Sequence, residues 1–366
     1  MSDLLNSHYI IDGVHQALSP AQMLRDCTIE PPLPPDGDPS TIADEHMELP
    51  SPTTFQAQAP SESLLEFKRR FPIQYPASFT VGKLAQSLLD AVWMVGHFRL
   101  GDLNLKAEWR WNDSKIGYPA AFYDSVEAAC GFLDALGVKI SVYNVLGGGP
   151  SVSFKATTVA EEDAPDEEES LFRELPYRTA NPRISRRRKC PSTLVPEEQD
   201  WLIYIPFDSC DFRLGGSALE DATGKSDATA PDLGDADYFI DCYEVLRELV
   251  EDGVVKAGAT VGDGGLMTAL EAMCQGGCGA RVSVRDIGTS MDEKEPLRIL
   301  YGEIPGVVIQ ISGSDYDYVD AELLLQDVVW FPIGHPVPGG KDVTIEEKTD
   351  IQGILSSLLN TLEGED

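Results

Sequence analysis

The amino-acid sequence predicts a mixed α/β (α+β) fold in which sheets are covered by helices. The apolar run 201–207 (WLIYIPF) is typical of a buried strand, and the segment 238–253 (YFIDCYEVLRELVEDG) carries apolar residues at helical spacing. From there the chain alternates between strand and helix, with glycines at the turns. This alternation predicts helices packed on an open sheet.

The first half of the chain contains similar elements. Segment 79–96 has one apolar helical face, and segment 102–112 alternates as a strand does. Segment 120–137 is predicted to be a helix that ends at Gly137, because glycine readily adopts the left-handed conformation found at helix C-termini. A strand, VKISVYNV, follows directly.

Changes of composition divide the chain into three parts. Residues 1–60 include the proline-rich stretch EPPLPPDGDPS and are predicted to be a disordered arm, or one that becomes ordered on a partner. Residues 61–150 are predicted to form a smaller lobe, and residues 151–366 a larger lobe that contains a charged insertion at 160–190.

The insertion carries blocks of like charge, which are typical of a solvated loop. Seven of the nine residues in EEDAPDEEE are acidic, and a basic run follows them. The basic run could serve nuclear import or bind a partner, or the nearby acids could simply neutralise it. The candidate partner-binding residues are Arg186, Arg187, Arg188 and Lys189.

Overall composition narrows the functional classes. The formal net charge of −33 over 366 residues would repel a phosphate backbone, so nucleic-acid binding is not expected and a protein partner is favoured. Seven scattered cysteines favour a reducing compartment. The sequence shows no signal peptide, mitochondrial presequence or membrane span, so we expect no membrane association and a cytoplasmic or nuclear location.

The stretch AGATVGDGGLMTALEAMCQGGCGA (257–280) raises three possibilities. A glycine turn before a helix could bind an anion, but it matches neither common phosphate-binding fingerprint. Cys274 and Cys278 could bind zinc only with two further ligands at comparable spacing. We therefore predict buried thiols without metal, in a loop that has become structural.

Five segments resemble phosphoribosylformylglycinamidine synthase of purine biosynthesis, in the order found in that family. They are KLAQSLLDAV (83–92), residues 103–140, FRLGGSAL (212–219), residues 257–284 and LYGEIPGVVIQIS (300–312). The resemblance covers about residues 72–345 and only the second of the enzyme's two halves that resemble aminoimidazole ribonucleotide synthetase. It implies a two-lobed fold of the aminoimidazole-ribonucleotide-synthetase type.

The same resemblance implies that the nucleotide site is degenerate. Residues that bind magnesium or phosphate in the family are replaced here, whereas the glycines and apolar residues of the scaffold remain. The residues implied for the degenerate site are Gln86, Asp90, Glu108, Asn144, Ala259, Thr260, Asp263, Gly264 and Gly265. The residues implied for a structural turn are Leu214, Gly215, Gly216 and Ser217.

These departures lead us to expect a noncatalytic protein-binding or structural subunit without a cofactor. We also expect Val145 and Leu146 to fill part of the former nucleotide cleft. The alternative is a component of purine biosynthesis that binds ATP or ADP with magnesium, such as an ATP-dependent ligase acting with a separate catalytic half.

Overall fold

The structure, a computed structural model, describes residues 2–29, 47–48, 69–94, 99–113, 115–158, 188–224 and 227–346. Most of the predicted insertion 160–190, including Arg186 and Arg187, therefore lies outside the described residues. No helix in the described ranges is both long and apolar enough to cross a membrane.

The N-terminal segment folds onto the first lobe. It contains α1 (Ser2–Asn6), the short hairpin of β1 (Ile10–Ile11) and β2 (Val14–His15), and α2 (Pro20–Cys27). Ser19 and Gln22 form a capping box at the start of α2, which satisfies backbone groups that would otherwise lack partners. Leu24 and Cys27 of this helix are buried.

This folding corrects the expectation of a disordered arm over residues 1–60, as far as residues 2–29 are concerned. The apolar side of α2 packs on α4, and the rings of Tyr9 and Tyr123 lie 5.0 Å apart. The backbone N–H of Ile29 also donates to the carbonyl of Ile140. The proline-rich stretch itself lies outside the described residues.

The first lobe is built on a four-stranded sheet with the strand order β3-β6-β4-β5. Its elements are β3 (Met47–Glu48), α3 (Pro76–Val92), β4 (Leu103–Trp111), α4 (Tyr118–Leu136), β5 (Lys139–Gly147) and β6 (Ser151–Thr158). Strands β4 and β5 are parallel and α4 connects them, whereas β6 pairs antiparallel with β4 and β3. Gly137 ends α4 with a φ of 70°, as predicted.

The second lobe is built on a six-stranded sheet with the order β12-β9-β11-β7-β10-β8. Its strands are β7 (Trp201–Pro206), β8 (Val255–Val261), β9 (Cys278–Val282), β10 (Gly306–Ile311), β11 (Phe331–Pro338) and β12 (Val343–Ile345). Its helices are α5 (Ala218–Thr223), α6 (Ala236–Glu251), α7 (Gly265–Met273), α8 (Arg285–Ser290), α9 (Pro296–Tyr301) and α10 (Tyr316–Leu325).

The chain has two apolar cores, of which the larger joins the two lobes and the smaller lies within the second lobe. The larger core contains α3, α4, α6 and side chains from one face of each sheet, and Phe239 of α6 contacts both Phe132 and Phe207. The smaller core lies between the other face of the six-stranded sheet and α7, α8 and α9. The mixed α/β class predicted from the sequence is confirmed, although most neighbouring strands pair antiparallel.

Candidate functional site

A cleft between α3 of the first lobe and the loop from β8 to α7 of the second lobe contains most of the predicted site. The loop turns sharply at Gly264 and Gly265, whose φ angles are 76° and 68°. A side chain at Gly265 would place its Cβ 2.7 Å from the carbonyl oxygen of Leu300. Glycine is required here by both conformation and space.

Two cations of the first lobe meet two carboxylates of the second lobe in this cleft. Arg69 precedes α3, and its guanidinium contacts the carboxylates of Asp263 and Glu303; the Glu303 contact is 2.5 Å long. Lys83 of α3 also contacts Asp263. Arg69 and Glu303 are largely buried, with side chains 12% and 14% exposed. Such pairs are screened little by solvent, so they tie the two lobes together.

Glu303 serves a second purpose, because it caps two helices at once. Its Oε1 accepts hydrogen bonds of 2.8 Å from the backbone N–H groups of both Ala218 and Gly264. These groups lie at the starts of α5 and α7, where backbone donors lack partners within the helix and attract negative charge. Within the described cleft, a carboxylate of the chain itself therefore lies where a helix start could bind an anion.

Residues at the C-terminal end of α3 also take part in a buried series of hydrogen bonds. The indole Nε1 of Trp93 donates to the Oγ1 of Thr260 at 2.9 Å, and this hydroxyl donates to the Oδ1 of Asp90 at 2.7 Å. Burial raises the pKa of Asp90 to about 6. Ala259, the residue before Thr260, is completely buried in the smaller core.

Gln86 and Lys83 occupy the remaining α3 surface of the cleft. The Gln86 amide lies so close to Gly262 that a Cβ there would be 2.3 Å from Nε2. Burial and the neighbouring Arg69 guanidinium lower the pKa of Lys83 to about 7. The space left in the cleft has a volume of about 30 Å³.

The predicted structural turn supports one wall of the cleft. A Cβ at Gly215 would lie 2.2 Å from the carbonyl oxygen of Thr229, and Gly216 has a φ of 76°. The N–H of Leu214 donates to Asp227, and Ser217 caps the start of α5 by accepting from the N–H of Glu220. The glycines therefore permit a close backbone approach that other residues would prevent.

The structure does not bring Glu108 and Asn144 to this cleft, so this part of the predicted site is wrong. Alternate residues of β4 face the core, and Glu108 lies on the other face, where it pairs with Arg110 at 2.7 Å. Asn144 lies opposite Glu108 on β5 and is exposed. Their sheet face points away from α3 and α4 because alternate residues of a strand project to opposite sides.

The expected filling of the cleft by Val145 and Leu146 is also wrong. Val145 is partly buried against the larger core, and Leu146 is 39% exposed on β5. The groups that fill the cleft are the polar side chains of α3 and the ion cluster. Their polar character is the reason that apolar patterning did not indicate them.

Two residues of the basic run, Arg188 and Lys189, bind groups within the chain. Arg188 donates to the carbonyls of Gly258 and Cys190, and its guanidinium lies 5.5 Å from the ring centroid of Trp93. Lys189 pairs with Glu251. Internal acceptors therefore bind Arg188 and Lys189, two of the four candidate partner-binding residues; Arg186 and Arg187 lie outside the described residues.

Cys274 and Cys278 are buried, as predicted, and are 2% and 1% exposed. Burial raises the pKa of the Cys274 thiol to about 12, so this residue is a protonated core side chain at neutral pH. In the described ranges, no three His, Cys, Asp or Glu side chains are grouped so that they could hold a metal ion.

Sequence reasoning missed three residues that define the cleft: Arg69, Lys83 and Glu303. Lys83 is a cation among apolar residues in KLAQSLLDAV, and Glu303 interrupts the apolar run LYGEIPGVVIQIS. A charge inside an otherwise apolar segment is the signal that could have identified both. Arg69 gives no such signal, since it lies in the charged stretch FKRRF.

Comparison with known proteins defines the class of domain. Residues 198–345 match the family described as AIR synthase related protein, C-terminal domain. The solved fold of PurL from Thermotoga maritima, complexed with FGAR, aligns with a TM-score of 0.54 at 13% identity, over 76% of this chain and 41% of that chain. The crystal structure of phosphoribosylformylglycinamidine synthase II from the same organism aligns with a TM-score of 0.52 at 12% identity, over 76% and 40% of the two chains.

Curated relatives identify the particular enzyme to which the chain is related. Human phosphoribosylformylglycinamidine synthase is 27% identical over 313 residues, which are 85% of this chain and 21% of the relative. The probable chloroplastic or mitochondrial enzyme of Arabidopsis thaliana is 27% identical over 261 residues, which are 69% of this chain and 17% of the relative. The chain is thus related to this purine-biosynthetic synthase and spans about a fifth of its length, and the predicted resemblance is confirmed.

Proposed function

We propose that this protein is a noncatalytic relative of phosphoribosylformylglycinamidine synthase that acts as a protein-binding or structural subunit of a larger assembly. One observation carries the proposal: the cleft that could bind an anion is already neutralised from within. Arg69 and Lys83 pair with Asp263 and Glu303, and Glu303 also occupies the N–H groups of two helix starts.

The residues present do not fit a magnesium-bound nucleotide, which supports the proposal. A magnesium ion on a nucleotide takes octahedral oxygen ligands at about 2.0–2.1 Å, and the protein normally supplies one or two free carboxylates while water and phosphate supply the rest. Asp263 is already bound to two cations, and Asp90 is buried with a pKa of about 6. The volume of about 30 Å³ is also far below the roughly 300–1,000 Å³ of a typical ligand pocket.

Isothermal titration of the full chain tests the proposal directly. The titrants are magnesium with ATP, magnesium with ADP, and formylglycinamide ribonucleotide, each up to 1 mM, roughly the Kd that corresponds to −4.1 kcal/mol. We expect no saturable heat. Binding at a Kd in the micromolar range, or synthase turnover by the chain alone, would sink the proposal.

A second candidate function is a small-molecule-binding component of purine biosynthesis. The observation that favours it is the presence of Arg69 and Lys83 in the cleft, since both could bind a phosphate if their carboxylate partners moved. The same titration separates the two candidates. If Lys83→Met weakens a measured nucleotide affinity tenfold or more, the second candidate replaces the first.

A further inference from the structure

One side of the second lobe exposes apolar side chains on the helix α10. The exposed fractions of Tyr318, Leu324 and Leu325 are 42%, 61% and 75%, and Val329, just after the helix, is 42% exposed. Exposed apolar residues are ordinary when they are scattered, but a contiguous group marks an interaction site.

Helical spacing places these residues together. Tyr318 and Leu325 are seven residues apart, so they lie on the same line along the helix, whereas Leu324 lies about 100° around the axis from Leu325, on the same exposed half of the final turn. The opposite side of α10 holds Val319 and Leu323, both completely buried in the larger core. One side of the helix therefore anchors it, and the other presents Tyr318, Leu324 and Leu325 to solvent, with the acidic Asp317 among them.

The helix α6 lies beside α10 and extends this surface. The hydroxyl of Tyr318 donates to Asp252, just after the end of α6, at 2.9 Å, and the hydroxyl of Tyr238, near its start, accepts from the N–H of Val329 at 3.0 Å. The two helices therefore run antiparallel. The exposed acidic residues at helical spacing along α6 and just beyond it are Asp237, Asp241, Glu248 and Asp252.

The charged residues of this surface are predominantly acidic. Between Arg298 and Lys341 the sequence contains no lysine or arginine, whereas residues 315–327 contain five acids. The only cation of α6 is Arg247, which is buried and paired with Glu244 and Glu248. Exposed apolar side chains bordered by acids without exposed cations attract a partner of opposite charge.

We propose that the side formed by α6 and α10, the α6–α10 surface, docks a basic amphipathic segment of a partner protein. The apolar side chains of that segment would cover Leu324, Leu325 and Val329, while its lysines or arginines would face the acids of α6. A second copy of this chain or an anionic lipid surface would bring like charges together, so both are disfavoured. This inference rests on the proposed protein-binding function, because it names the surface and the partner chemistry.

Fluorescence anisotropy of a labelled model peptide tests the inference on the full chain. The peptide LKKLLKLLKKLLKL carries a basic and an apolar face. We expect the double variant Leu324→Ser/Leu325→Ser to weaken its binding at least tenfold. The matched control is Leu297→Ser, which removes a side chain that is 55% exposed on α9, and this variant should bind as the unchanged protein does.

A second pair of variants tests the charge. Asp241→Asn/Asp317→Asn and Asp286→Asn/Glu295→Gln remove the same charge from exposed positions, but only the first pair lies on the α6–α10 surface. We expect the first pair to weaken peptide binding at least threefold more than the second. Equal effects of the two pairs would mean that the peptide senses only the net charge, and would overturn the inference.

Three other outcomes would also overturn it. The first is that Leu297→Ser weakens peptide binding as much as the Leu324→Ser/Leu325→Ser variant does. The second is that an unlabelled peptide of residues 351–366, which are acidic, binds more tightly than the basic peptide. The third is that the protein binds phosphatidylserine vesicles or associates with itself, and that the Leu324→Ser/Leu325→Ser variant abolishes this binding. Nucleotide titration of the same variants tests the proposed function separately. If neither the peptide nor the nucleotide binds, only the docking role of the α6–α10 surface is refuted. If a nucleotide binds, the noncatalytic assignment is refuted.

Discussion

The carboxylate of Glu303 is shared by Arg69 and the two helix starts, and removing it by Glu303→Ala should open the cleft to an external anion. The change removes one partner of Arg69 and the acceptor of the Ala218 and Gly264 N–H groups. Breaking a buried ion pair costs about 3–5 kcal/mol, and a buried donor left without an acceptor costs about 1–3 kcal/mol. Because Asp263 still pairs with Arg69, we expect the lower part of this range, about 3 kcal/mol of unfolding free energy.

Urea unfolding followed by tryptophan fluorescence measures this loss, since Trp93, Trp109 and Trp111 are fully buried. Glu198→Ala, at an exposed position, is the matched control and should change stability by less than about 0.5 kcal/mol. The decisive measurement repeats the unfolding with inorganic phosphate. At a hundred times its Kd, phosphate should return about 2.7 kcal/mol to Glu303→Ala and stabilise the control no more than the unchanged protein.

Two results would refute this reasoning. If Glu303→Ala is as stable as the control, the carboxylate does not hold the helix starts and Arg69 together. If phosphate stabilises the unchanged protein and Glu303→Ala equally, the vacated position does not bind anions, and the internal carboxylate is not a substitute for one.

Three further predictions concern single positions. Burial raises the pKa of Asp90 from 3.8 to about 6, so the free energy of unfolding of the unchanged protein should fall as pH rises from about 4 to 6. The variant Asp90→Asn should therefore be more stable than the unchanged protein by up to about 3 kcal/mol at pH 8 and equally stable below pH 3.5. Urea unfolding at each pH measures both effects. Gly215→Ala should cost about 1–3 kcal/mol because its Cβ meets the Thr229 carbonyl, whereas Gly234→Ala, where no atom lies within 4 Å, should cost far less; equal losses would contradict the packing argument. In the native protein at pH 8, Cys274 and Cys278 should react with iodoacetamide at least tenfold more slowly than in the protein unfolded in urea, because both thiols are buried. Mass spectrometry follows the reaction, and equal rates in the two states would mean that the thiols are accessible.

Patterning predicted the scaffold well, for identifiable reasons. The helix ending at Gly137 has an apolar periodicity that a helix satisfies, and the short apolar run beginning at Trp201 is rich in the aromatic and β-branched residues that favour a buried strand. The antiparallel pairing of most strands could not be predicted, because it depends on contacts between distant parts of the chain. The helix α2 was included in the predicted arm because eight residues are too few to form a stable helix alone in water, and in the structure its apolar side packs on α4.

The site was predicted less completely than the fold. Gln86, Thr260 and Asp263 do meet in one region, since the resemblance carried their positions correctly. Glu108 and Asn144 were placed wrongly because the face on which a strand residue projects depends on the register of the strand. The pairing of Arg69 with Glu303 spans 234 residues, a separation at which sequence pattern carries no information.

The shared carboxylate has a consequence for how such a cleft responds to its surroundings. A dissolved anion occupies a site in proportion to its concentration, whereas a tethered one is present at an effective concentration in the millimolar range or above. Glu303 belongs to the same folded unit as the helix starts that it caps, so dilution or depletion of metabolites cannot remove it. The contact between the lobes at Arg69 and Glu303 would then not depend on the concentration of any dissolved anion.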